Sequence, residues 1–177
     1  ARISKSPAIF DPLKLRAINA AYIRALPAEE FRRLADPFID SAVHCDIDRD
    51  LLCANLQPRC EVLEDIPPQL DFFDAVLPID AEMYRNKKQK TTPESAKEAL
   101  TALLPVLEAQ TDWTRDAIFE ACKTLAEQME KKNGWLLFPL GIALSGKART
   151  PGGGTDLAAM MGREETLQRV KDALEKL

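Results

Sequence analysis

The chain has no glycine before position 134; all seven of its glycines lie between Gly134 and Gly162. Nowhere does a Gly-x-Gly-x-x-Gly follow a strand pattern, and no Gly-Lys-Ser/Thr ending is present, so neither a dinucleotide fold nor a P-loop is indicated. Histidine is reduced to one residue, His44, between Val43 and Cys45. Any Ser-His or Cys-His arrangement would have to use it as base, and its flanks predict a partly packed helix end instead. Cys45, Cys53, Cys60 and Cys122 are spaced too widely and irregularly for a zinc site, which leaves buried free thiols in a reducing compartment. Asp46, Asp48 and Asp50 alternate as in a calcium loop, but the glycine at the sixth place and the glutamate at the twelfth are missing. No secretory signal is present, and no apolar run approaches the roughly 20 residues that cross a bilayer. Basic excess is absent too: the net charge is −4, against non-specific duplex binding, so any nucleic-acid role must rest on a local patch. These absences predict a cytoplasmic protein with no catalytic residue, no metal and no membrane contact.

What is present is a 177-residue chain, 46% hydrophobic and 29% charged, long enough to bury a core as one domain or two small ones. Its glycines gather around one stretch. An apolar run from Trp135 to Leu144 leads into a loop, Ser145 to Thr155, carrying Lys147, Arg149 and the consecutive Gly152, Gly153 and Gly154, after which Asp156 has the look of a helix N-cap. Consecutive glycines let the main chain approach a ligand closely, and amides at a helix start favour anions, so phosphate or nucleic acid is the ligand class this composition suggests. A flexible connection between two helices is the alternative.

Elsewhere the periodicity is helical. Asp11-Pro12 starts a helix with Leu15, Ile18, Tyr22 and Leu26 on one face, stopped by Pro27. A second helix covers Ala28 to about Val43 with Phe31, Leu34, Phe38 and Ile39 inward, and Pro37 is expected to end or bend it. A third runs from Asp48 to Gln57-Pro58-Arg59, breaks at Pro58 and resumes through Val62, Leu63 and Ile66. Pro67 to Asp80 reads as a packed connector, and the basic run Arg85 to Lys90 as a solvated linker, with a binding site as the alternative. Later helices start at Thr92-Pro93, at Thr111 or Asp112, at Asp156, and at Glu164, the last with Leu167, Val170, Leu174 and Leu177 on its buried stripe. No stretch alternates with a period of two between turn signals, so the chain reads as all-α, with a boundary near residue 80 dividing it into helical subdomains 1–80 and 81–177. The polar opening, Ala1 to Pro7, reads as the edge of a piece cut from something longer.

Three phrases then carry a family resemblance. Phe10-Asp-Pro-Leu-Lys-Leu-Arg-Ala-Ile-Asn-Ala-Ala-Tyr-Ile-Arg24 resembles the start of the anticodon-binding region of bacterial glutamyl-tRNA synthetases. Gln57-Pro58-Arg59 with Leu63 and Pro67 resembles its middle. Phe138-Pro-Leu-Gly-Ile-Ala-Leu-Ser-Gly-Lys147, Thr150-Pro151-Gly152 and Met161-Gly-Arg-Glu-Glu165 resemble its ending in the same order. The resemblance spans essentially the whole chain.

It implies two helical subdomains forming a cage that grips the anticodon arm of the tRNA for glutamate. The catalytic domain of the same protein, with its ATP site, would precede Ala1, leaving this chain inactive by itself, without a cofactor of its own and monomeric. Discriminating members of the family place an arginine where this chain has Gln57, so the resemblance implies relaxed selection that extends to the tRNA for glutamine. Gly141 likewise replaces an arginine, and Gly153 and Gly154 replace bulkier residues. The RNA-binding set it implies is Gln57 and Arg59 at the third anticodon base, Lys147 and Arg149 at phosphates, and Thr150 with the amides of Gly153 and Gly154 at base edges. For Arg59 the alternative is an ion pair with Glu61 or Glu64, and for Thr150 a simple turn residue before Pro151. Asn19, Tyr22 and Arg24 are expected to serve helix packing. Loss of side chains at Gly141, Gly153 and Gly154 motivates a second reading, a helical protein-interaction domain that has kept the fold and lost RNA binding.

Overall fold

The structure, a computed structural model, describes residues 11–177. Ala1 to Pro7 and Phe10 lie outside the described residues. Among those described there are eight α-helices and no strand: α1 (Pro12–Ala25), α2 (Ala28–Asp40), α3 (Arg49–Leu56), α4 (Pro93–Ala109), α5 (Arg115–Gln128), α6 (Asn133–Ser145), α7 (Gly154–Met161) and α8 (Arg163–Lys176). Short 3-10 turns at Gln57–Arg59, Leu63–Asp65, Pro67–Gln69 and Ala81–Tyr84 join α3 to α4.

Capping chemistry sets most of the starts. The Asp11 carboxylate accepts from the N–H groups of Leu13 and Lys14, Asp48 from Leu51, and Thr92 from Ser95, each satisfying donors that the first turn leaves without an intrahelical partner. Two starts differ from the sequence expectation. Helix α5 begins after Thr114, whose hydroxyl accepts from Ala117 N–H, while Asp112 is used one step earlier on Thr114 N–H. Helix α7 begins at Gly154, so Asp156 is its third residue and caps by reaching back to Gly153 N–H at 2.7 Å. Pro37 does not end α2, which runs on to Asp40; the proline is exposed in the last turn, where a missing N–H and a freed carbonyl can face water.

Helix α6 is the centre of the molecule. Trp135, Leu136, Leu140, Ile142, Ala143 and Leu144 are all buried, and a helix apolar on every side must be surrounded. It packs against α4, α5, α7 and α8. Helices α2 and α3 pack on each other and reach this group where α3 meets α7, with Asp48 N–H donating to Met160 O at 3.0 Å. The core is one contiguous cluster from Ile23 to Ala173, and it runs through both sides of the sequence boundary near residue 80.

Two features depart from the apolar pattern. In α1 only Ala20 and Ile23 are buried, whereas Leu15, Ile18 and Tyr22 are 47%, 46% and 72% exposed, so Tyr22 does not pack as expected. The helix is tied by polar groups instead: Arg16 Nε to Glu61 at 2.9 Å and Asn19 Nδ2 to Glu61 O at 2.6 Å. Conversely, Arg169 of α8 is 3% exposed in the core. Its guanidinium donates to Phe72 O, Phe73 O and Leu144 O at 2.6–2.7 Å and pairs with Glu165, joining α8, the end of α6 and the 67–80 connector.

Candidate nucleic-acid interface

Helices α6 and α7 approach each other through glycine. A Cβ on Gly154 would lie 2.7 Å from Leu137 O and 3.0 Å from Gly141 N, and one on Gly141 would lie 3.8 Å from Gly154 N. Gly154 therefore serves backbone-to-backbone packing before any ligand is considered. Between the helices the chain turns out and back under close restraint. Gly146 ends α6 in the left-handed region at φ +68°, and a side chain there would press on Leu77 O at 2.6 Å. Ser145 Oγ donates to Gly141 O at 2.7 Å and accepts from Lys147 N–H, and Thr150 Oγ1 donates to Gly152 O at 2.6 Å. Asp156, already holding Gly153 N–H, also receives Arg115 Nε at 3.1 Å. The connection is a hydrogen-bonded loop.

This loop forms one wall of a cleft of about 700 Å³. Arg59, Lys147, Arg149, Thr150, Gly153 and Gly154 all line it, so residues 91 positions apart in sequence come together: Arg59 Nη1 lies 3.5 Å from Thr150 O. Gly134, Leu137, Phe138 and Gly141, one face of α6 at helical spacing, supply the opposite wall, and Gln69 and Gln89 complete the lining. Phe138 and Leu137 are half-buried there and offer an apolar surface to a planar ligand. Phe138, Gln69 and Gln89 carry no role expected from the sequence; the spacing of Gly134, Phe138 and Gly141 along α6 is the one local signal that groups cleft residues.

The cations of the cleft are not equivalent. Arg59 and Arg149 are exposed, and among the described residues neither has a carboxylate within 4 Å. Glu61, the partner considered for Arg59, is engaged by Arg16. Lys147 is different: its ammonium donates to Pro68 O at 2.8 Å and is paired with Asp71, so its charge is largely matched and it ties the loop to the connector. The Gly153 amide is likewise committed, to Asp156.

Gln57 lies apart. It borders a separate hollow of about 590 Å³ between α2 and α3, with Arg32, Arg33, Asp36 and Asp50. Its Nε2 donates to Ile23 O and Leu26 O at 3.0 and 2.8 Å, satisfying carbonyls at the end of α1. Arg59, two residues on at the end of the short turn, lines the main cleft.

Of the four cysteines, three are buried. Burial pushes the thiols of Cys53 and Cys60 up to about 11 and that of Cys122 up to about 12. Cys45, expected to be buried, is exposed. His44 is also exposed rather than part of a helix end; its Nδ1 is 2.6 Å from Asp74 Oδ2, and its own N–H and that of Cys45 donate to Asp74 Oδ1. The hydrogen bond from the His44 side chain, then those from the backbone, hold the Asp74 carboxyl well below the usual range. Among the described residues no group of three or more His, Cys, Asp or Glu could hold a metal ion, and no helix is long and apolar enough to cross a membrane.

The described residues thus bring two arginines without a carboxylate partner and a partly apolar wall to one cleft, a chemistry suited to anionic ligands with a planar face. The chain belongs to the Anticodon binding domain family, whose model matches residues 17–174. Curated relatives that it matches include glutamate–tRNA ligases. It is 45% identical to that of Clostridium botulinum strain Hall over 175 residues and 42% identical to that of Clostridium tetani, matching 99% of this chain and 36% of each ligase. The chain thus spans about a third of the length of these relatives. In fold it is similar to a glutamate tRNA ligase from Elizabethkingia meningosepticum, with a TM-score of 0.82 at 24% identity, covering 99% of this chain and 34% of that one. The glutamate-tRNA synthetase of Elizabethkingia anophelis is similar with a TM-score of 0.72 at 21% identity, over 94% of this chain and 32% of that one.

Proposed function

We propose that this chain holds the anticodon arm of the tRNA for glutamate in the cleft between the 146–153 loop and α6, as the RNA-reading part of a longer cytoplasmic glutamate–tRNA ligase. The observation that carries this reading is the convergence of Arg59, Arg149, Thr150 and the glycine loop on one cleft. Anticodon bases leave the helical stack and expose their edges and faces, so a half-buried Phe138, the Thr150 hydroxyl and a few cations suffice, and an overall acidic chain is no obstacle. Arg59 and Arg149 meet phosphates or base edges directly. Lys147 holds the loop in place through Asp71, and the Gly153 amide becomes available only when Asp156 yields it. Catalysis and ATP binding belong to the remainder of the longer protein, which is also the partner for the exposed apolar face of α1.

Selection between glutamate and glutamine tRNAs is relaxed in this reading. The side chain of Gln57 caps α1 and brings no charge toward RNA, so relaxation follows from the absence of an arginine there. The experiment is binding of the chain to transcripts of the tRNA for glutamate, the tRNA for glutamine and an anticodon-swapped control. Both cognate-type transcripts should outcompete the control, and Arg59→Ala with Arg149→Ala should weaken them at least about tenfold. Binding indifferent to the anticodon and to both substitutions would remove RNA reading from this cleft.

A further inference from the structure

The basic run Arg85 to Lys90 does not fold as a linker. Asn86 and Thr91 pair as an antiparallel bridge, with Asn86 N–H to Thr91 O at 3.0 Å and Thr91 N–H to Asn86 O at 3.1 Å. The Asn86 side chain accepts from the N–H groups of Lys88 and Gln89, and Thr91 Oγ1, buried, donates to Tyr84 O at 2.7 Å. These bonds make a short, fixed hairpin whose tip is Lys87-Lys88-Gln89-Lys90. Lys90 sits at φ +56°, a conformation that costs a residue with a Cβ about 1 kcal/mol and that glycine or asparagine would adopt more readily.

The hairpin is docked at the cleft. Gln89 lines it, and its Oε1 occupies the space beside Gly134 that a Cβ would need, lying 1.8 Å from that position. Gly134 follows Lys131-Lys132-Asn133, the turn into α6, so two lysine-bearing turns meet at the Gln89–Gly134 contact. Lys87, Lys88, Lys90 and Lys132 are each within two residues of a cleft-lining position, hence within about 8 Å of it along the backbone. All four are exposed, and among the described residues none is paired with a carboxylate. Arg85 by contrast is neutralised by Glu82, at 2.6 and 3.0 Å.

We propose that the 85–91 hairpin, with the adjoining 131–134 turn, is a second RNA-contacting arm that grips the phosphates of the strand entering or leaving the cleft. This rests on the RNA-binding reading of the cleft and extends its contact surface beyond Arg59 and Arg149. Apart from Asn133, the arm's other polar side chains are engaged, Arg85 by Glu82, Asn86 by the Lys88 and Gln89 amides, Thr91 by Tyr84 O and Gln89 against Gly134, which leaves mainly ammonium groups to position the strand without selecting its sequence. The packing of Gln89 against Gly134 transmits that position to the face of α6 bearing Phe138.

The test compares this chain with the triple variant Lys87→Gln, Lys88→Gln, Lys90→Gln and with a charge-matched variant, Lys97→Gln, Lys123→Gln, Lys176→Gln, on helices outside the cleft. Binding to the glutamate tRNA transcript and to the anticodon-swapped control is measured from about 50 to 200 mM salt, where each lost phosphate contact flattens the log–log slope by roughly 0.7 to 0.9. The hairpin variant is expected to bind both transcripts at least about tenfold more weakly at low salt, with a flatter slope and unchanged anticodon preference. If the hairpin variant binds as the charge-matched one does while the Arg59→Ala, Arg149→Ala protein loses affinity, the arm is overturned and the cleft stands. If the unaltered chain shows no RNA binding, both fall. Far-ultraviolet circular dichroism of each variant verifies that the helices are intact.

Discussion

The region before residue 81 and the region after it share one apolar core but differ in how their irregular segments and close contacts are held. The first has no glycine and, among the described residues, three α-helices and three-residue 3-10 turns, and its first helix leaves much of its apolar face in water. Phe31, Ile39, Leu52 and Phe72 anchor it in the core, and polar ties fasten its exposed segments: Arg16 to Glu61, Asn19 to the same backbone, Gln57 to the end of α1, Asp74 to the 44–45 turn. The second region surrounds an all-apolar helix with four others and uses glycine where backbones touch. Polar ties tolerate exposed, irregular segments because each satisfies its own donors and acceptors, whereas close helix contact demands the absence of a side chain. The cleft forms where the two constructions meet, taking Arg59 and Gln69 from one and the glycine loop from the other.

The sharpest way to break this contrast is at the seam. Arg169→Met should remove the donors of three buried carbonyls and cost about 3–5 kcal/mol, read as a drop in the urea midpoint. A loss below about 1 kcal/mol would show that apolar packing alone joins the regions. Next in size, Gly154→Ala should cost about 2–3 kcal/mol, since the new methyl meets backbone atoms that cannot give way. Gly153→Ala, facing only Asp156 Oδ2 at 3.3 Å, should stay within about 0.5 kcal/mol, and equal losses at the two positions would deny the close-contact role of Gly154.

A smaller effect of opposite sign is expected at Tyr84. Its hydroxyl is buried with no hydrogen-bond partner among the described residues, and burial pushes its pKa up to about 12. Tyr84→Phe should therefore raise thermal stability, by about 1 kcal/mol. Smallest is a pH effect confined to acid. The folded Asp74 carboxyl lies below its unfolded value of about 3.9, so its stabilisation is complete above that pH and is lost as pH falls toward the folded value. Urea midpoints of the native chain should thus fall more steeply below about pH 4 than those of Asp74→Asn; parallel curves would assign the acid response elsewhere.

Much of this was legible in the sequence. Caps at Asp11, Asp48 and Thr92, the periodicity of α2, α4 and α8, and the absence of alternating runs fixed an all-helical chain, since these signals are local. Pattern misled where a helix lacked a partner: the spacing of Leu15, Ile18 and Tyr22 is correct for a buried stripe, but burial depends on what packs against it. It also misled in the basic run at 85–90, where charge suggested a linker and two backbone bonds to Thr91 make a hairpin.

Composition and order of residues alone determined the helical class, the gathering of glycine at one place and the candidate cations, because propensity, capping and charge are properties of short segments. Only the tertiary structure decided which of these groups share a site. Among the described residues Arg59 and Arg149 have no carboxylate partner and share one cleft, Lys147 is matched by Asp71, Gln57 is spent on the end of α1, and Arg169 is buried as a tie. The physical reason is that a charged or polar side chain takes its role from the partner the fold places within about 3 Å, and that partner is usually far away in sequence.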